Sequence, residues 1–145
     1  MNLGIARPSV LDNVQWLYVP EPQYPFYRIG SFSNAVPSLA PAGKSSLYVE
    51  VAANSTASDA EVVASVRQFL REHGWLQHDS QVEVEQIRHI RYGYVVFDRH
   101  YFGSRQTVLD YLSAAGVASR GRYGSWMYAS MEDAMWDGYT FAQGR

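Results

Sequence analysis

Residues 121–133 hold the densest run of chemistry-bearing side chains in this sequence: Gly121-Arg-Tyr-Gly-Ser-Trp-Met-Tyr-Ala-Ser-Met-Glu-Asp133. Gly121 and Gly124 bracket Arg122 and Tyr123, and backbone without side chains lets a planar ring approach closely. Ser130-x-x-Asp133 then reads as a capping box that starts a helix, with Met131, Glu132 and Asp133 in its first turn. There the exposed N–H groups and the macrodipole favour carboxylates. Those carboxylates can accept hydrogen bonds from the hydroxyls of a ligand, or they can serve the helix alone. Ser-x-x-Asp recurs at ordinary helix starts, so the pattern by itself favours capping.

Other chemistry is thinly represented. The four histidines, His73, His78, His89 and His100, fall into no HxH or HxxxH pair, so no metal set is assigned. Ser, His and Asp occur without a Gly-x-Ser-x-Gly elbow that would argue for a hydrolase. Cysteine is absent, which excludes disulfides, thiol catalysis and Cys-based metal centres. No nucleophile or general-base constellation emerges, and the catalytic residues stay unassigned.

The elements that must position residues 121–133 belong to a folded protein: 145 residues, 47% hydrophobic, 18% charged and 14% aromatic. The length suits a single domain, 1–145. Eleven arginines and one lysine are scattered over a net charge of −2, with no basic block to grip phosphate backbones, so nucleic acid is not an expected partner. No apolar run reaches the ~20 residues of a membrane span, and residues 1–10 lack the regions of a signal peptide. The expectation is a cytoplasmic protein that does not enter membranes.

Residues 14–19 and 24–32 read as a hairpin with a proline-stiffened connection, residues 34–46 as a loop, and residues 46–52 as a strand. Ser58-Asp-Ala-Glu61 is a capping box; Val62, Val66, Phe69 and Leu70 then share one helical face, and Gly74 is the expected stop. Two further strands are predicted at 82–90 and 92–97. A second helix is predicted from Ser104 to Gly116 with Val108, Tyr111, Leu112 and Ala115 inward, and a third from Ser130. Strands and helices mix without βαβ alternation. The predicted class is α+β, a mixed or antiparallel sheet of about five strands with three helices packed on it.

Gly-Arg-Tyr-Gly, Trp-x-Tyr and Met-Glu-Asp, in this order and spacing, resemble the second flavin-contacting segment of FAD-dependent amine-oxidoreductase-like enzymes, the protoporphyrinogen oxidase and UDP-galactopyranose mutase group. Trp16-Leu-Tyr-Val-Pro-Glu-Pro22, Pro25-Phe-Tyr-Arg-Ile-Gly30, Ser33-Asn34, Ala40-Pro41 and Ser45-Ser-Leu-Tyr-Val-Glu50 resemble the substrate-domain portion of the same enzymes. The resemblance runs from Asn2 to Gly138, and places Met1-Asn-Leu-Gly-Ile within a strand. It implies FAD as the cofactor of the full-length enzymes. Gly121, Arg122, Tyr123, Gly124, Met131, Glu132 and Asp133 would lie around the flavin ring and ribityl chain, and Arg28, Ser33 and Asn34 toward the substrate. On the residues alone the plainer reading is preferred for each: Arg28 as an ion-pair partner in a strand, Asn34 as a turn residue and Arg122 as a solvated turn residue.

One part of that pattern is missing. Seating the FAD pyrophosphate takes Gly-x-Gly-x-x-Gly between a strand and a helix, and this sequence contains no Gly-x-Gly. The implied protein is a truncated flavoenzyme piece, or a domain descended from one, inactive alone and not retaining FAD by itself. Its expected partners are a second copy meeting surface exposed by truncation, or a separate flavin-domain chain. A non-enzymatic binding or oligomerisation domain is the alternative. A small-molecule pocket among Tyr24, Tyr27, Tyr123 and Trp126 is a third reading.

Overall fold

A computed structural model describes residues 1–52 and 54–144. The chain forms two compact units, Met1–His89 and Ile90–Arg145. The first is built on five strands, β1 (Asn2–Ile5), β2 (Trp16–Tyr18), β3 (Arg28–Ser31), β4 (Ser45–Glu50) and β5 (Val82–Gln86). They form one sheet in the order β2-β3-β4-β1-β5, with every pairing antiparallel. The α+β expectation holds.

Alternation explains the sheet's two faces. In β4, Ser45, Leu47 and Val49 are buried while Ser46, Tyr48 and Glu50 face the other way. Register puts Leu47 opposite Leu3 on β1, and Val49 opposite Ile29 on β3. The helix α2 (Asp59–Glu72) supplies Val62, Val66, Phe69 and Leu70 to the same core, the four positions its periodicity predicts. Its start is the predicted capping box, and Gly74, at φ +70°, follows its end. Each such side chain contributes roughly 1.5–3 kcal/mol on burial.

The opposite face carries Trp16, Tyr18, Arg28, Gly30, Tyr48 and Glu50. Arg28 pairs with Glu50, directly opposite in register, and lies 5.8 Å from the centre of the Tyr18 ring. Gly30 is required here. A Cβ on it would stand 2.4 Å from the Tyr48 ring, which lies across the bare backbone.

Residues 34–46 are more regular than a loop: α1 (Phe32–Ala35) is one helical turn capped by Ser31, and a 3-10 turn follows at Pro37–Leu39. The proline occupies the first position of that turn, where its missing N–H costs nothing.

The second unit holds α3 (Tyr101–Ala114), α4 (Gly121–Gly124) and α5 (Met131–Ala142). From residue 82 onward the structure corrects four expectations. The strand predicted at 82–90 ends at Gln86, and residues 92–97 form no strand despite their β-branched and aromatic run. β-propensity is a preference for a pleated, half-buried surface, and it produces no strand without a ladder to join. The second helix begins at Tyr101, three residues before Ser104. Its predicted inward face is not buried: Val108, Tyr111 and Ala115 are exposed and Leu112 is half-buried. Tyr101 is the one buried residue of that helix; its hydroxyl donates to the Trp126 carbonyl (2.6 Å) and its ring meets Phe97 and Phe102 edge-on.

Candidate functional site

The sequence-predicted residues fall in both units. In the second, Gly121 opens α4 with φ +73°, a left-handed conformation that favours glycine, and a Cβ there would meet nothing within 4 Å. The backbone conformation, rather than packing, demands this glycine, and the space over it is open. Gly124 is different: a Cβ would stand 3.2 Å from Ser119, whose hydroxyl donates to the Gly124 carbonyl (2.8 Å).

Arg122 is half-buried, and its guanidinium lies 5.1 Å from the centre of the Tyr94 ring and 5.3 Å from that of Tyr128. Those two rings are nearly parallel, 16° apart with centroids 6.4 Å apart. The only polar partner recorded for Arg122 among the described residues is the Ala129 carbonyl, at 3.4 Å. An arginine resting on two phenol faces, with no carboxylate against it, keeps its N–H groups available to an anion. Tyr123 is exposed, its ring 6.1 Å from that of Trp126.

At the start of α5 the capping box is complete. The Ser130 hydroxyl accepts from the Asp133 amide (3.1 Å), and the Asp133 carboxylate accepts from the Ser130 amide and hydroxyl (2.8 Å each). The Ser130 amide first, and then its hydroxyl, hold the Asp133 carboxyl below its ordinary value. Asp133 is therefore occupied by the helix. Glu132 is exposed and has no hydrogen-bond or ion-pair partner among the described residues, and Met131 is exposed beside it. Glu132, Asp133, Met135, Trp136 and Tyr139 line an open groove of about 630 Å³ along this helix.

In the first unit Arg28 is engaged with Glu50. The Ser33 hydroxyl accepts from the Ser46 amide (3.0 Å), which ties α1 to β4. The Asn34 side-chain amide donates to the carbonyls of Val10 and Val14, both at 2.9 Å. These bonds clamp a loop in which Ser9, Leu11, Asp12 and Asn13 all have positive φ, with Leu11 fully buried. Ser33 and Asn34 thus have structural duties that their sequence positions do not announce.

Sequence reasoning missed Tyr94 and Asp137, and named Tyr128 only within the Trp-x-Tyr motif, with no role beside Arg122. The rings become visible only when residues 28 and 6 positions from Arg122 converge. The Asp137 carboxylate accepts from the Gly121 amide (2.6 Å) and pairs with Arg120 (3.4 Å), tying α4 to α5. Among the described residues, no group of three or more His, Asp or Glu is placed to hold a metal ion, and no helix is long and apolar enough to cross a membrane.

A five-stranded antiparallel sheet carrying α2, followed by the glycine-bracketed turn and the capped α5, is flavoenzyme-like at the level of fold. Among 23 solved chains that match, the chain is similar to the crystal structure of reduced UDP-galactopyranose mutase, with a TM-score of 0.68 and 25% sequence identity over 88% of this chain. It spans 28% of that chain's length. No family model matches.

Proposed function

We propose that this chain is the substrate-domain and flavin-capping portion of an FAD-dependent oxidoreductase-like protein, and that it is not catalytic alone. The observation that carries the reading is the fold match to UDP-galactopyranose mutase across nearly all of this chain and little more than a quarter of that one.

The residues present fit one end of a flavin. Open space over Gly121 admits a planar ring, and the amides of Met131 and Glu132 belong to the unsatisfied first turn of α5. Glu132 has a carboxylate free to accept from ribityl hydroxyls, and Arg122 offers positive charge near the ring. No residue run fits the pyrophosphate, since the Gly-x-Gly signature is missing. When bound, a flavin supplies the redox chemistry; the chain's own side chains bind, orient and exclude water. Arg28, Ser33 and Asn34 shape the substrate side, the last two through the loops they hold. The partner that completes the site is a dinucleotide-binding body.

Flavin spectroscopy on the purified chain tests this. FMN, which has the ring and ribityl end without the adenosine, should bind weakly and change its visible spectrum. FAD should be retained through gel filtration only when a Gly-x-Gly-x-x-Gly domain of the resembled enzymes is supplied. No spectral change with FMN, together with no retention of FAD in the mixture, would sink the reading. The exposed aromatic side chains of α3 and α5 favour a second reading, a self-associating domain that has lost its flavin. A stable dimer that binds neither FMN nor FAD would establish it.

A further inference from the structure

The two units differ sharply in how much apolar surface they bury. Met1–His89 has a continuous core in which Ile5, Ile29, Leu47, Val66 and Leu70 are all fully buried. In Ile90–Arg145 the buried apolar side chains among the described residues are Val95 and Tyr101. Large apolar side chains there are instead exposed: Phe102 78%, Tyr111 73%, Met131 85%, Met135 69% and Trp136 66%. Two buried side chains do not offset the conformational entropy of ordering three helical segments. The start of α3 adds little, since no side chain caps it. What holds this unit is largely polar: Tyr101 on the Trp126 carbonyl, Arg105 Nε on the Ser125 carbonyl (2.6 Å), and Asp137 on the Gly121 amide.

We infer that Ile90–Arg145 is a separate, low-stability cooperative unit that opens without unfolding of Met1–His89, and that ligand at the Arg122 and Glu132 end shifts it to the ordered state. The second half rests on the functional reading above; the first half does not. Arg122 sits on Tyr94 and Tyr128, so a group bound to it ties residues 90–100 to α4 and the segment before α5. A ligand that binds only this ordered arrangement stabilises it by mass action.

Hydrogen exchange read by mass spectrometry on the full chain separates the two halves. Amides of α3 and α5 should exchange at least ~100-fold faster than those of α2. Tyr101→Ala should abolish the remaining protection in α3–α5 while leaving α2 unchanged, and Leu70→Ala should speed α2. Exchange in α3 and α5 within ~10-fold of α2, or loss of α2 protection in Tyr101→Ala, would overturn the separate unit. FMN should slow exchange in α3–α5 selectively. A labile second unit indifferent to FMN would overturn the ligand coupling and count against the flavin reading, while leaving the separate unit standing.

Discussion

Asn34 separates a ligand-binding residue from a structural one, and its replacement by alanine decides between them. Its side-chain amide donates to the carbonyls of Val10 and Val14 at 2.9 Å, and its backbone amide donates to the Ser31 hydroxyl at 3.2 Å. Asn34→Ala removes the first two bonds and keeps the third. Val14 is exposed, so water can replace the donor there, at a net cost of about 1 kcal/mol. Val10 is fully buried, and a carbonyl left without a donor in such a place costs about 1–3 kcal/mol. The sum is roughly 2–4 kcal/mol. Those bonds also sustain left-handed backbone at Leu11 (φ 67°), a conformation that costs about 1–2 kcal/mol.

With a urea m-value of about 2 kcal/mol/M, the midpoint for Met1–His89 should fall by about 1–2 M. Trp75 is a local probe, since its indole N–H donates to the Asp12 carboxylate (2.9 Å) within the same loop. Asn34→Asp should destabilise at least as much at pH 7, because an ionised carboxylate cannot donate and faces two carbonyls. The reasoning is refuted if Asn34→Ala unfolds at the wild-type urea concentration. Should that variant instead lose only ligand affinity, Asn34 faces substrate and the clamp is incidental.

Three further outcomes follow from the same geometry. Gly30→Ala drives a Cβ to 2.4 Å from the Tyr48 ring and should cost about 1–3 kcal/mol by urea unfolding; adding Tyr48→Ala should recover part of that loss, and additive effects would show that the overlap is not the cause. The Asp133 carboxyl lies below its ordinary value of 3.8 when folded, so the unfolded chain binds that proton first. Its stabilisation is complete above pH 3.8 and is lost as pH falls through the lowered folded value, so acid should melt the start of α5, and Ser130→Ala should weaken that dependence in pH-resolved exchange of the α5 amides. Arg122→Gln leaves no carboxylate unpaired and should change stability by less than about 1 kcal/mol while weakening FMN binding at least tenfold by fluorescence titration; unchanged FMN affinity would remove Arg122 from the site.

The parts of this fold that could be read from the sequence are those whose cause is local. Ser58 and Glu61 satisfy each other's orphan donors three residues apart, Val62, Val66, Phe69 and Leu70 repeat at helical spacing, and Gly74 stops the helix; no distant residue is needed to see α2. The α5 start is legible for the same reason. β4 shows its two faces by alternation, yet its neighbour β1, only four residues long, came only through the family resemblance. The candidate site divides in the same way. Glycines and carboxylates could be named in advance, but their partners could not: Tyr94 beneath Arg122, Asp137 on the Gly121 amide, and Val10 under Asn34 are products of long-range folding.

The misread face of α3 is the more instructive failure. Val108, Tyr111, Leu112 and Ala115 repeat with the same helical period that located the core face of α2, and the period did locate a helix. Periodicity reports that one side of a helix avoids water; it does not report which surface covers that side. In α2 the cover is the chain's own sheet. In α3 Val108 and Tyr111 stay in solvent, and in α5 Met131, Met135 and Trp136 do too. Two helices that leave large apolar side chains in solvent do not make a finished core. On the function proposed above, a dinucleotide-binding body is the surface that would cover them. If so, replacing the apolar residues of α3 and α5 by polar ones should raise solubility while abolishing any gain in flavin retention from a supplied dinucleotide-binding domain.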